Sequence, residues 1–241
     1  MRIKQNRMKK LFLFSVLLLS SIFCFAQVAN KQTYLEDFKQ EMVKVWPKNR
    51  TLNIVFHGHS VPTGYANTPR VNTLHAYPNL TFNALKSHYQ TAVINVITTS
   101  IGGEQSEQGA KRFSKEVLNM HPDVLFIDYA LNDRSIGLER SEKAWRKMIE
   151  KTLKANVKLI LMTPTPDIKE NILEDNAPLA GYAKMIRRLA AEYKVGLVDS
   201  YALFKARAEK GENMKSYMAQ NNHPDELGHM VVATEILTWF M

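Results

Sequence analysis

Cysteine is almost missing from this chain of 241 residues: there is one, Cys24. It lies in an N-terminal stretch that reads as an export signal, so a mature chain cut after Ala26 has none. That excludes a structural disulfide, a thiolate metal site and a cysteine nucleophile. No internal repeat, low-complexity tract or Ser/Gly/Pro-rich linker breaks the remaining stretch of about 215 residues, which is enough for one domain with a sizeable core. An apolar run long enough to span a bilayer is also lacking. Residues 11–25 are apolar but short, and they follow Arg2, Lys4, Arg7, Lys9 and Lys10. With small residues near the cut at Cys24 and Ala26, residues 1–26 read as a cleavable signal peptide rather than an anchor. Phe23 occupies the place where a lipid-modified signal needs a small residue. The mature chain is therefore expected to be secreted or periplasmic, without stable membrane insertion.

Much of the positive charge goes with that segment. The full chain has a formal charge of +9, and removing five basic residues and no acidic one leaves +4. A mildly basic exported domain does not call for nucleic acid. Residues 27–50 read as an N-terminal helical segment, with Tyr34, Phe38, Met42 and Trp46 forming one apolar stripe that Pro47 ends.

From residue 51 to 241 short apolar runs alternate with amphipathic ones. Strands are expected at residues 52–56, 92–97, 124–127, 157–162 and 195–198. Helices are expected near 78–89, through Ala110, Phe113 and Val117, through Trp145, Met148, Ile149 and Leu153, at 179–193, and through Val231, Ile236 and Leu237. The run at 124–127 is apolar throughout, as when helices cover both faces of a sheet. The alternation predicts an α/β fold, a three-layer α/β/α sandwich around a five-stranded parallel sheet. Residues 61–78 read as a long polar loop.

Chemistry-bearing residues fall after successive strands: Ser60 after the first, Gly102 and Gly103 after the second, Asn132 and Asp133 after the third, His223 after the last. A parallel sheet brings all those ends to one edge. Their types suit acyl transfer. A serine hydroxyl needs a base to take its proton, and histidine is the side chain whose pKa fits that task near neutrality. A glycine N–H, an asparagine amide and the serine's own N–H would supply donors for the developing oxyanion. Pro62 stands where a Gly-x-Ser-x-Gly elbow needs its second glycine, which excludes the α/β-hydrolase fold.

Four blocks in this order resemble the SGNH (GDSL-type) hydrolase family. Gly58-His59-Ser60 with Gly64-Tyr65 is similar to its Gly-Asp-Ser block. Ser100-Ile101-Gly102-Gly103-Glu104 is similar to the second block, Ala130-Leu131-Asn132-Asp133 to Gly-x-Asn-Asp, and Gln220-Asn221-Asn222-His223-Pro224 to Asp-x-x-His-Pro. The resemblance covers essentially the whole chain from Thr51. It implies a flavodoxin-like sheet, with Ser60 and His223 catalytic and Ser60, Gly103 and Asn132 forming the oxyanion hole. It implies no cofactor or metal, and small-molecule or glycan esters as partners.

The chain departs from the pattern at His59 for aspartate, Ala130 for glycine, and Gln220 for the triad acid. An aspartate there orients the histidine and stabilises the imidazolium. Three outcomes stay open: Gln220 or a backbone carbonyl holds His223 in a dyad; Asp225 or Asp133 substitutes; or the site is weakened or dead. The leading expectation is a secreted esterase that removes small acyl groups, most plausibly acetyl from carbohydrate. A non-catalytic glycan-binding domain and a lysophospholipase or thioesterase are the alternatives. His57 and His59 are expected on opposite faces of the chain and not as a metal pair. His75, His88, His121 and His229 read as surface or capping residues, Asp199 as structural, and Arg134 as a surface arginine that could also meet an anionic substrate group.

Overall fold

The structure, a computed structural model, describes residues 27–241. The signal peptide read at residues 1–26 lies outside them. In chain order the elements are α1 (Glu36–Met42), β1 (Thr51–Gly58), the single turn α2 (Ser60–Thr63), α3 (Tyr77–His88), β2 (Val93–Thr98), α4 (Ser106–Glu116), β3 (Val124–Asp128), α5 (Leu138–Lys154), β4 (Lys158–Met162), α6 (Pro178–Tyr193), β5 (Gly196–Val198), α7 (Ser200–Glu209), the hairpin strands β6 (Met218–Gln220) and β7 (His223–Pro224), and α8 (Glu226–Leu237).

Five strands form one parallel sheet in the order β2-β1-β3-β4-β5. The five predicted runs become these five strands: β1, β3 and β4 at the centre are apolar and covered on both faces, whereas β2 at the edge is only partly buried. Alternation along each strand sorts the core into two layers. Ile54, Phe56, Phe126, Ile160 and Met162 face one layer with Phe38, Leu85, Phe204 and Ile236. Val55, Leu125, Ile127, Leu159 and Leu161 face the other with Phe113, Trp145, Ile149 and Ile186. Phe56 and Phe126 are register partners and stack with centroids 4.5 Å apart. Truncating either to alanine would cost about 3–5 kcal/mol.

Strand order reverses between β1 and β3, and the chain leaves these two strands in opposite directions. A crevice opens at such a point above the carboxyl ends, and it is there that Ser60 and Asn132 are delivered.

Several local expectations fail for identifiable reasons. The first helix ends at Met42, and Trp46 is 83 % exposed instead of completing the apolar stripe. The stretch at 61–78 is not a bare loop: it holds the rest of α2, a Tyr65–Val71 bridge and a short helical turn at Thr73–His75. Helix α7 had no amphipathic signature to announce it; Asp199 caps it by accepting from Ala202 N–H at 3.2 Å. Asp199 also accepts from Arg187 at 2.6 and 2.9 Å, so its role is structural.

Candidate active site

Ser60 opens α2 immediately beyond β1 and is buried. His223 sits on the β6–β7 hairpin, where register pairs it with Gln220. Although 163 residues separate them, His223 Nε2 lies 2.8 Å from Ser60 Oγ. That is hydrogen-bonding, hence proton-transfer, distance. Burial, and then the neighbouring His59 ring, lower the His223 pKa, while the Ala66 carbonyl works in the opposite sense. A lowered pKa keeps the imidazole neutral at neutral pH, as a base must be.

Gln220 lies against the other ring nitrogen, Nδ1. Its Oε1 accepts from the backbone N–H of Thr68 at 3.2 Å and contacts the Thr68 hydroxyl at 3.4 Å. A backbone N–H can only donate, so this contact turns the Gln220 amide nitrogen toward His223. An amide nitrogen donates too. In a neutral ring Nδ1 then accepts, and the ring hydrogen sits on Nε2 facing Ser60. That amide orientation favours the tautomer that cannot accept the serine proton.

The two carboxylates weighed as substitute acids are occupied elsewhere. Asp133 is buried, accepting from Ser106 N–H at 2.7 Å and from the Ser141 hydroxyl at 2.6 Å. Asp225 caps α8 through Gly228 N–H at 2.9 Å. Neither is bonded to His223, and the option of a substitute acid at these positions falls away.

Asn132 begins a short turn after β3, and its Nδ2 donates to the Glu104 carbonyl at 3.0 Å. One amide hydrogen remains for another acceptor. Gly103 follows β2 at φ 78°, and the turn carrying it is tied to the end of β1 by Ile101 N–H on the Gly58 carbonyl at 3.1 Å. Among the described residues neither the Gly103 nor the Ser60 N–H has a protein acceptor. The donors named from the sequence are thus unspent, on the loops that follow β1, β2 and β3. Tyr65 borders the same edge: its ring centroid is 6.0 Å from that of His223, and a Cβ on Gly102 would meet its phenol at 2.8 Å.

His57 and His59 do not point to opposite faces. Residues i and i+2 of an extended chain share a face, and both rings lie beside Tyr129, at 5.2 and 6.4 Å between centroids. His57 is buried between Thr99 (Nδ1 to Oγ1, 3.0 Å) and Tyr129 (Nε2 to Oη, 3.1 Å). Tyr129 donates to Glu104 at 2.6 Å, and Glu104 is paired with Arg112 at 2.5 and 2.7 Å. The tyrosine oxygen must therefore accept from His57 Nε2–H. Burial, with the Arg112 charge, pushes the His57 pKa down to about 3, so this ring is a neutral strut.

His59 Nδ1 accepts from Val61 N–H at 3.3 Å. Its Nε2 faces Asp128 Oδ1 at 3.6 Å, and the other Asp128 oxygen accepts from Tyr77 at 2.8 Å. Where the family's aspartate would stand, this chain has a histidine facing an aspartate from β3. Among the described residues, no three His, Cys, Asp or Glu side chains are grouped so as to hold a metal ion.

Other readings need correcting. His229 is buried, not superficial, and accepts from Tyr77 N–H at 3.3 Å; burial pushes its pKa down to about 3. Arg134 is no free surface arginine, since it pairs with Asp167 at 2.8 Å and with Glu170. Ala130, in place of glycine, keeps glycine's backbone with φ 82°, a conformation costing an alanine about 1–2 kcal/mol.

A serine hydroxyl bonded to an imidazole, at the switch point of a parallel sheet and beside free N–H donors, defines the class of serine hydrolases. The chain belongs to the GDSL-like Lipase/Acylhydrolase family, whose model matches residues 56–231 and so takes in both Ser60 and His223. It is an ester-hydrolysing serine hydrolase by that membership. Among solved structures, the acetylxylan esterase Axe2 from Geobacillus stearothermophilus is 19 % identical with a TM-score of 0.68, over 83 % of this chain and 96 % of that one. A two-domain esterase (CEX) active on acetylated mannans is 19 % identical with a TM-score of 0.71, over 89 % of this chain and 54 % of that one. At such identities the likeness is one of fold. The uncharacterized lipoprotein YqeF of Bacillus subtilis (strain 168) is 34 % identical over 86 residues, 32 % of this chain and 35 % of that protein. This chain thus matches about a third of the length of that curated relative.

Proposed function

We propose that this protein is an exported serine esterase that removes small acyl groups, acetyl foremost, from carbohydrate. The observation that carries it is the 2.8 Å contact between Ser60 Oγ and His223 Nε2. In the reaction Ser60 Oγ bonds to the ester carbonyl carbon while His223 Nε2 takes the hydroxyl proton. The oxyanion is held by Ser60 N–H, Gly103 N–H and the spare Asn132 amide hydrogen, each donor worth about 3 kcal/mol. Collapse breaks the bond to the alcohol oxygen, which receives the proton from His223 and leaves. Water then attacks the acyl-serine, again giving its proton to His223, which returns it to Ser60 as the acid is released.

The working ring carries its hydrogen on Nδ1. Turning the Gln220 amide over presents Oε1 to that hydrogen, frees Thr68 N–H to water and leaves the amide nitrogen beside the Thr68 hydroxyl, which can accept from it. Export is supported by the basic and apolar order of residues 1–26. The carbohydrate part draws support from the fold shared with the acetylxylan and acetyl-mannan esterases; no residue of this chain names a sugar.

The Thr68 hold on Gln220 favours a second reading, a glycan-binding domain that turns over little or no substrate. Hydrolysis of p-nitrophenyl acetate, a longer-chain p-nitrophenyl ester and acetylated xylo-oligosaccharide, each with and without Ser60→Ala, separates the two. Turnover of the short ester and the oligosaccharide, lost in the variant, is expected. Preference for the long ester would move the assignment to a lysophospholipase or thioesterase type, and binding without turnover would establish the second reading.

A further inference from the structure

The pole of the molecule opposite the Ser60–His223 edge has an unusual surface. Val43, Val45 and Trp46 are 63, 55 and 83 % exposed, three large apolar side chains within four residues. They lie in the segment 43–50, which also carries Lys44, Lys48 and Arg50 and no acid. Lys44 pairs with Glu41, and Arg50 reaches Asp123 at 2.8 Å and Glu41 at 3.7 Å. Lys48 has no ion-pair partner among the described residues.

Topology adds further cations. Helices α5 and α6 return antiparallel to the strands and end at this pole, with Lys151 and Lys154 in the last turn of α5 and Lys194 capping α6. Lys158 opens β4 and shares a cleft of about 270 Å³ with Arg50, Asp37, Glu41 and Asp123. The chain also enters the described structure here, since Ala29 N–H bonds the carbonyl of Val195 at the start of β5, 3.1 Å away.

Exposed tryptophan and valine set among lysines suit the boundary of a bilayer. The indole rests at headgroup depth, and the lysine stems lie along the apolar surface with their ammonium groups in water. Each cation held near an anionic leaflet adds about 1 kcal/mol. We propose that this pole is a docking surface for an anionic phospholipid membrane, with Trp46, Val43 and Val45 entering the interface. β1 begins at this end and runs eight residues to the site, about 25 Å at strand rise. The docked enzyme would hold its reactive edge away from the lipid, open to substrate in the surrounding medium.

Trp46 is its own probe, because Trp145 and Trp239 are 0 and 1 % exposed. The chain from residue 27, the mature form that the export signal implies, would be mixed with phosphatidylcholine vesicles with and without phosphatidylglycerol. Vesicles containing phosphatidylglycerol should shift tryptophan emission to the blue, shield it from acrylamide and co-sediment the protein. Partitioning should fall about fivefold for Lys48→Ser, and about tenfold or more for Trp46→Ser, which loses a large buried aromatic area. Raising salt from about 0.1 to about 1 M should weaken it too, as the Debye length falls from about 10 to about 3 Å. Hydrolysis of p-nitrophenyl acetate should be unchanged in both variants.

No emission shift with phosphatidylglycerol vesicles, or wild-type partitioning by Trp46→Ser, would overturn the proposal. So would shielding of Trp46 that grows with protein concentration without lipid, which identifies a second copy as the occupant, or shielding by neutral oligosaccharide, which identifies a glycan.

Discussion

Changing Gln220 to glutamate keeps the side-chain length and alters one group, the one that faces His223. In the resting geometry the 3.2 Å bond from Thr68 N–H holds Gln220 Oε1, and the amide nitrogen favours the ring hydrogen on Nε2. Reaching the working tautomer means giving up that bond. An exposed neutral hydrogen bond is worth about 1 kcal/mol, roughly a fivefold loss in the working population. A carboxylate accepts from Thr68 and from Nδ1–H at once and needs no rotation. Its charge also favours the imidazolium formed during attack, by about 2 kcal/mol more than a neutral acceptor does. Together these lower the barrier by about 3 kcal/mol, or about 150-fold in kcat.

The assay is kcat for p-nitrophenyl acetate across pH for wild type, Gln220→Glu and Gln220→Asp. The direction along pH follows from His223, whose pKa burial and then His59 hold below the ordinary imidazole value. Because the base must be neutral, the acid limb of the wild-type profile lies below 6.5, the ordinary imidazole value. A carboxylate at 220 raises the pKa and moves that limb to higher pH. An unchanged or lower kcat in both variants, with the limb unmoved, would refute this reasoning and leave the Ala66 carbonyl as the group that orients the ring.

Asn132→Ala should lower kcat about 10²- to 10³-fold, with KM and the circular dichroism spectrum little changed, if its free amide hydrogen meets the oxyanion. Ala130→Gly should relieve the backbone at φ 82°; set against the loss of one buried methyl, a net gain of up to about 1 kcal/mol is expected in urea unfolding. His57 and His229, both pushed down to about 3 by burial, stay neutral in the folded protein while the unfolded chain takes up protons near 6.5. Their contribution is complete above that pH and is lost as pH falls toward 3, at up to about 1.4 kcal/mol per pH unit for each ring. Urea midpoints at pH 7, 5 and 4 for wild type and His57→Gln check this: the variant should lose less on acidification, and identical slopes would contradict it.

The sheet was legible because it depends on local patterns repeated in order: apolar runs make strands, and a parallel sheet puts every strand end, and so Ser60 and Asn132, on one edge. His223 was placed by the resemblance of its block and not by a strand end, since it lies on the β6–β7 hairpin with α7 between it and β5. What stayed hidden depends on partners distant in sequence. The orientation of Gln220 is set by Thr68, 152 residues away, and no pattern around Gln220 announces it. The burial of His229 comes from Tyr77 on a facing helix, and the pairing of Arg134 from the segment that carries Asp167 and Glu170. Trp46 fitted a four-residue spacing, but spacing says only which residues share a face, and α1 ends before reaching it. The readings of Asp225 and Asp133 as possible acids failed similarly: each is spent on a helix N-terminus, a use that sequence proximity to the site conceals.

Labelling the protein with a fluorophosphonate and mapping the adduct by peptide mass tests most directly whether Ser60 is a nucleophile activated by His223. A single adduct on the peptide that contains Ser60 is expected, formed far more slowly in His223→Ala. An adduct elsewhere, no adduct at all, or an undiminished rate in His223→Ala would contradict the account.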